Sequence, residues 1–96
     1  MLTSRADVVT QTPDRYAKQL VSHLGHRIEF RSDGADAEFN LGSGRGVIRV
    51  GDGVLTLLAE ATDPAVLAQI QDVLGRHLER FGTRQELVVD WQATAG

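Results

Sequence analysis

The chain has 96 residues, of which 42% are hydrophobic, and a formal net charge of −3. These values predict one domain over residues 1–96 and argue against a nucleic-acid binder, which needs a positive surface. The absence of cysteine excludes disulfides and thiol chemistry. No window reaches the roughly 20 apolar residues of a membrane span or resembles a signal peptide, so we expect a soluble cytoplasmic protein with no membrane partner.

The first predicted elements are a strand and a helix. Residues Ala6–Thr10 are rich in β-branched side chains, which favour a strand. Thr12 and Pro13 follow as an N-cap and a first helical residue, and Gly25 offers a left-handed helix stop. Between them, apolar residues recur at helical spacing, namely Tyr16, Ala17, Leu20, Val21 and Leu24.

Between Arg27 and Ala61 the apolar residues alternate with polar ones, which predicts strands instead of a helix. Four strands are expected, with the inward residues Ile28 and Phe30, then Ala37, Phe39 and Leu41, then Ile48 and Val50, then Leu55, Leu57 and Ala59. Glycine-bearing connections at 32–34, 42–46 and 51–53 are short enough for hairpins. We therefore expect an antiparallel meander.

A second helix is predicted from the N-cap candidate Asp63 and the helix-starting Pro64 to about Phe81. The segment LVVDW, Leu87–Trp91, then predicts a last strand. The order β-α-β-β-β-β-α-β indicates an α+β domain in which two helices cover one face of an antiparallel sheet. The other face or an edge of this open sheet is expected to form a homodimer interface.

Two histidines lie three residues apart in the segment SHLGHR. His23 falls at the margin of the apolar face of the first helix, and His26 follows at its glycine stop. Two imidazoles are too few for a closed metal site unless another group contributes. The alternative to metal binding is that His23 packs at a boundary and His26 complements the negative end of the helix dipole.

His77 falls near the middle of the apolar stripe of the second helix, so we expect it to point inward and to need a polar partner. It is a satisfied core histidine, a pocket-lining residue or the acid–base group of a small enzyme. If the two helices run in opposite directions, His77 lies about 20 Å along its helix while His23 lies near the end of the other. We therefore do not expect the three histidines to share one metal ion within a single chain.

Three segments, PDRYAKQLVSHLGHR, ATDPAVLAQIQDVLGRHLERFGTRQEL and VDWQ, together resemble a bacterial family termed domain of unknown function 2218. The resemblance extends from about Ala6 to Gln92. Its marks are Arg15, Tyr16, Gln19, Leu20, His23, His26, His77, Leu78, Arg80, Phe81, Glu86, Leu87 and Trp91. Members are small single-domain proteins or domains appended to siderophore-interacting flavin reductases, so the resemblance implies a connection to siderophore and iron metabolism.

The sequence and this resemblance predict a noncatalytic binding or accessory domain. We expect Arg15, His77, Arg80 and the pair His23 and His26 to contact a small anionic ligand, an iron chelate or a partner protein. One alternative is a metal-binding protein in which His23 and His26 are the ligands. Another is a small enzyme in which His77 is a general acid or base. The sequence identifies no cofactor.

Overall fold

The fold is the predicted α+β arrangement of an antiparallel sheet and two helices. The computed structural model describes residues 1–34 and 36–94. Its elements are β1 (Leu2–Val9), α1 (Pro13–Leu24), β2 (Arg31–Asp33), β3 (Asp36–Leu41), β4 (Gly44–Val50), β5 (Val54–Ala61), α2 (Pro64–Phe81) and β6 (Gln92–Thr94). In the described part of the chain, neither helix is long and apolar enough to cross a membrane.

The strand order β2-β3-β4-β5-β1-β6 confirms the predicted meander from β2 to β5, but β2 begins only at Arg31, so the predicted strand residues Ile28 and Phe30 precede it. The N-terminal strand β1 does not lie at the edge next to β2 but pairs with β5 over eight residues, from Leu2↔Ala61 to Val9↔Val54. Helix α1 therefore carries the chain from β1 across the sheet to the far edge strand β2. Helix α2 carries the chain from β5 past β1 to β6.

The core lies between the helices and the face of the sheet formed by alternate residues of its strands. Hydrophobic residues that are at most 1% exposed come from both helices and from strands β1, β3, β4 and β5: Ala6, Leu20, Phe39, Ile48, Leu55, Leu57, Ala59, Ala61, Ile70, Leu74 and Leu78. Each large aliphatic side chain buried this way stabilises the fold by about 1.5–3 kcal/mol. The alternation in the strands and the helical period in α1 and α2 therefore point to the same interior.

The ends of the helices agree with the predicted positions but differ in detail. Asp63 caps α2, because its side chain accepts a hydrogen bond from Ala65 N at 2.8 Å. Thr12 holds the N-cap position of α1 without a side-chain cap bond in the described chain. Gly25 follows α1 with φ −62°, so the predicted left-handed stop is wrong. The chain continues instead in a right-handed turn, in which Ile28 N donates to the carbonyl of the last helical residue at 2.9 Å.

The segment Leu87–Trp91, predicted as the last strand, forms no strand, and β6 begins only at Gln92. It runs along α2 instead: Val89 N donates to Glu79 Oε2 at 2.9 Å, and the partly buried side chains of Leu87, Val89 and Trp91 pack against the core. Alternating apolar residues indicate that one side of an extended segment is buried, and that side can pack against a helix as well as against a sheet. The alternation was interpreted correctly as burial and wrongly as strand pairing.

The face of the sheet away from the helices carries arginines paired with carboxylates. The ion pairs are Arg5–Asp7 at 3.1 Å, Arg31–Glu38 at 3.2 Å, Arg45–Glu38 at 3.4 Å, Arg45–Glu60 at 3.0 Å and Arg49–Asp36 at 3.0 Å. Val47 lies on this face between its cross-strand neighbours Glu38 and Leu58, yet it is only 3% exposed. The charged side chains therefore shield the one buried valine of this face, and their charges are balanced within the chain.

Gly46 provides a test of the packing between β4 and the core. A Cβ at Gly46 would lie 2.5 Å from Phe39 Cε1 and 3.2 Å from Ile70 Cγ2, and both of these side chains are fully buried. We expect Gly46→Ala to lower the free energy of unfolding by about 1–3 kcal/mol, measured by urea denaturation, because an overpacked core must shift. In a Phe39→Leu background the same substitution should cost less, and strictly additive losses would contradict the contact.

Asp7 provides a test of the charged face. The Thr56 hydroxyl donates to Asp7 Oδ1 at 2.7 Å and lowers the pKa of Asp7; burial opposes this effect, and Arg5 lowers the pKa further through a hydrogen bond and through its charge. We expect Thr56→Val to raise the pKa of Asp7, because it removes the largest single cause of the lowering, measured by NMR titration of the carboxyl group. Thr3→Val is the matched control, because the Thr3 hydroxyl donates to Thr94 O at 3.1 Å.

The sign of the accompanying change in stability follows from the direction of this pKa shift. Since the pKa of Asp7 is lower in the folded chain than its ordinary value, the carboxylate stabilises the fold above that ordinary value. This contribution is lost as the pH falls through the folded pKa. The Thr56→Val variant should therefore lose less stability on acidification than the wild type, and an equal loss would contradict the assignment.

Candidate functional site

Three rings from the two helices meet at one place, which we term the ring cluster: His23 of α1 with His77 and Phe81 of α2. The ring centroids of His23 and His77 are 5.1 Å apart, those of His23 and Phe81 are 5.5 Å apart, and those of His77 and Phe81 are 6.5 Å apart. His23 meets Phe81 edge to face, with an interplanar angle of 80°. Such contacts are favourable for aromatic pairs.

The expectation that His23 and His77 lie far apart is wrong, although the two helices do run in opposite directions. The predicted separation of about 20 Å assumed that the end of α1 lies level with the start of α2. Helix α1 has 12 residues and α2 has 18, so their lengths are about 18 and 27 Å. Residues 25–30 then complete the return to β2 without a helix. The ring contacts of His23 show that the end of α1 lies beside the C-terminal half of α2, where His77 and Phe81 are located.

The orientation of the His77 ring is fixed by a hydrogen bond within α2. His77 Nδ1 lies 2.6 Å from the Val73 carbonyl oxygen, which can only accept, so Nδ1–H is the donor. The polar partner that the sequence required is thus a backbone carbonyl of the same helix. The side chain is half-buried and faces α1, so the prediction of an inward direction holds while full burial does not. In the neutral ring, Nε2 keeps its lone pair free.

Two open grooves lie on either side of the ring cluster. One has a volume of about 580 Å³ and is lined by Asp14, Arg15, Lys18, Gln19, Ser22, His23, His26 and Phe81. The other has a volume of about 480 Å³ and is lined by His23, Leu24, His26, Arg27, Ile28, Val73 and His77. His23 and His26 line both grooves. We call the first of these the α1 groove, because α1 and the turn after it supply all but one of its lining residues.

The α1 groove differs from the outer face of the sheet in its electrostatics. On the outer face of the sheet, four arginines are held in ion pairs. Among the side chains that the structure describes, neither Arg15 nor Lys18 forms an ion pair, and both are exposed. Asp14 is the one carboxylate in the groove lining. The groove can therefore offer two free cationic groups and imidazole donors to an anion.

The predicted site residues are brought together only in part. Arg15, His23 and His26 line the α1 groove, and His77 lines the neighbouring one. Arg80 is exposed near the end of α2, where its carbonyl accepts a hydrogen bond from Thr83 Oγ1 at 2.8 Å, and it belongs to neither groove lining.

Metal binding by His23 and His26 stays a prediction. Within residues 1–34 and 36–94, no group of three or more histidine, aspartate or glutamate side chains is placed to hold a metal ion. The pair therefore gains no third protein ligand from the described residues, and any ion bound there would take its remaining ligands from solution.

Sequence reasoning missed Lys18 and Phe81 as site residues. Lys18 follows Arg15 by three positions, so the two lie on the same side of α1 one turn apart. That spacing was a usable signal. Phe81 was assigned to the core because it continues the apolar stripe of α2. Its exposure to the groove depends on the level along α2 at which the end of α1 lies, and the sequence does not show that level.

Comparison with known proteins identifies proteins that are similar to most of the chain. A family described as an uncharacterized protein conserved in bacteria, domain of unknown function 2218, matches residues 5–92. An NMR structure of PA4090 from Pseudomonas aeruginosa is similar over 96% of each chain, with 25% sequence identity and a TM-score of 0.80. No curated protein sequence matches.

The hydrogen bond of His77 predicts its tautomer. In the neutral ring, Nδ1 should carry the proton and Nε2 should not, because the Val73 carbonyl oxygen at 2.6 Å cannot donate. Long-range ¹H–¹⁵N correlation spectra of uniformly labelled protein distinguish the two ring nitrogens by chemical shift. A neutral His77 protonated at Nε2 would contradict the hydrogen bond to the Val73 carbonyl.

Proposed function

We propose that this chain, which belongs to the bacterial family termed domain of unknown function 2218, is a noncatalytic accessory domain that binds a small anionic molecule in the α1 groove. The ligand class we favour is a ferric chelate, since the family resemblance connects such domains with siderophore-interacting flavin reductases. On this proposal the domain acts in the cytoplasm, where it would hold or deliver the chelate for a partner enzyme.

The observation that carries the proposal is the separation of paired and unpaired positive charge. The protein has a net charge of −3, so a free cationic surface is not expected by composition. The arginines of the sheet are neutralised by neighbouring carboxylates, whereas Arg15 and Lys18 face an open groove. Unpaired cations on a groove wall attract anions both at long range and in contact.

The groove also offers a surface for an apolar or aromatic part of a ligand. Phe81 is half-buried and stands edge to face with His23 between the charged residues of α1 and the body of α2. A ligand with a flat organic portion can pack on these rings while its anionic groups reach Arg15 and Lys18. Ligand sites commonly combine an aromatic lining with a few polar groups that orient the ligand.

A noncatalytic role fits the shape of the site better than acid–base catalysis by His77. Enzymes gain much of their effect by excluding water from the reacting groups. Both grooves beside the ring cluster open to solvent. The arrangement supports binding and orientation of a ligand.

The outer face of the sheet is a poor surface for a homodimer. Its arginines and carboxylates form ion pairs within one chain, and Val47 is already shielded. A second copy docking there would have to desolvate these charges without offering new partners. A partner is better accommodated on the helical side, where Arg15 and Lys18 form no ion pair among the described residues.

Anion binding is tested by titrating untagged protein with ferric citrate, citrate and inorganic phosphate in a calorimeter. We expect the Arg15→Gln/Lys18→Gln double variant to bind ferric citrate at least about tenfold more weakly, because each lost charge-assisted contact contributes about 1.5–3 kcal/mol. Arg76→Gln is the matched control: it removes one positive charge from α2, where Arg76 is 79% exposed and paired with Asp72.

Three results would each overturn one part of this proposal. No binding of any of the three probes, or equal losses in the double variant and in Arg76→Gln, would remove the α1 groove as an anion site. Citrate binding as tightly as ferric citrate would leave an anion site and remove the connection to iron.

A further inference from the structure

The spacing of the His23 and His77 rings matches a shared metal ion. Two imidazoles that bind one tetrahedral ion through nitrogens at about 2.0–2.1 Å place their ring centroids roughly 5 Å apart. The observed separation is 5.1 Å, and the rings are tilted by 46° instead of stacked in parallel. The two side chains come from different helices, so the fold brings them together and not the local spacing of the sequence.

The hydrogen bond of His77 is the second feature typical of a metal ligand. Histidines that bind metals usually donate their other ring N–H to a carboxylate or a backbone carbonyl, which fixes the ring and the tautomer. His77 Nδ1–H donates to the Val73 carbonyl at 2.6 Å. Nε2 is therefore the nitrogen available to a metal. His77 also lines an open groove, so an ion can reach it.

We propose that His23 and His77 form a two-histidine site for a divalent transition metal ion, such as Zn²⁺, Cu²⁺ or Ni²⁺, between α1 and α2. Imidazole nitrogens suit these ions. No third side chain in the described part of the chain completes the site, so the remaining positions are taken by water or by a small ligand in the grooves. This site differs from the His23 and His26 pair suggested by the sequence, and it stands independently of anion binding.

His26 is the less suitable partner for His23 on local grounds. It follows α1 by two residues, in the turn that begins at Gly25. Both residues line the two grooves, but the direct ring contact of His23 within this region is with His77 and Phe81. His77, unlike an exposed turn residue, has its ring orientation fixed before the metal binds, which lowers the entropic cost of binding.

The experiment is calorimetric titration of untagged, metal-free protein with Zn²⁺ alone, for the wild type and for His23→Gln, His77→Gln and His26→Gln. We expect one ion per chain and affinities at least about tenfold weaker in His23→Gln and His77→Gln, since the loss of a mere supporting residue already costs 10–100-fold. His26→Gln, the matched control, should stay within about twofold of the wild type.

Ring ¹⁵N spectra of the wild type with and without Zn²⁺ give a second measurement that does not depend on the folding of any variant. We expect the His77 Nε2 signal and one ring nitrogen of His23 to shift on coordination, while His77 Nδ1 stays protonated. The proposal would be overturned by the absence of Zn²⁺ binding, by shifts at His26 without shifts at His77, or by a ratio of one ion to two chains.

The outcome is also distinguishable from that of anion binding. The Arg15→Gln/Lys18→Gln double variant keeps both histidines, so it should bind Zn²⁺ at least as tightly as the wild type. Removing positive charges near a cation site does not weaken it electrostatically. A loss of Zn²⁺ binding in this variant would contradict the assignment of the ion to His23 and His77.

Discussion

The pairing of β1 with β5 is the constraint on which the rest of the architecture depends. It places the N-terminal strand inside the sheet, with β5 on one side and β6 on the other. Because β1 and β5 are antiparallel, the two helices that leave their C-terminal ends must run in opposite directions over the same face. The contact between α1 and α2, and with it the ring cluster, is a consequence of this strand order.

The same order gives the two sides of the protein different electrostatic properties. In the sheet, arginines and carboxylates stand opposite one another across β2, β3, β4 and β5, at distances that allow ion pairs. Each exposed pair adds little stability, but together the pairs leave little free charge on that face. Arg15 and Lys18 of α1, which form no ion pair among the described residues, therefore leave positive charge on the helical side, even though the whole chain is acidic.

The fold could be predicted from the sequence because its core is encoded by regular periods. Leu20, Ile70 and Leu74 were placed correctly by the helical repeat, and Leu55 and Leu57 by the alternation of the strands. The errors concern information that these periods do not carry. Leu87–Trp91 alternates because it covers α2, and Gly25 ends a helix without the left-handed conformation that glycine allows.

The candidate site was predicted less well than the core, and for a physical reason. Arg15, His23, His26 and His77 were singled out by residue type, but their distances depend on strand order and on the level at which each helix ends. Because the end of α1 was assumed to lie level with the start of α2, His23 and His77 were expected to lie far apart. In the structure they are neighbours. Lys18 shows the opposite case, since its position one turn from Arg15 was visible in the sequence alone.

At His77 the residue type departs most from the apolar one that an inward-facing position of α2 favours. A leucine at the middle of the apolar stripe of α2 would bury more apolar surface against α1, and it would need no hydrogen-bond partner. The chain instead places an imidazole there, satisfies one nitrogen with the Val73 carbonyl, and packs the ring against His23 beside a groove. Departures from the most stable choice tend to occur at sites that bind or react. The contact between the two helices is therefore the part of this fold where binding chemistry should be sought first.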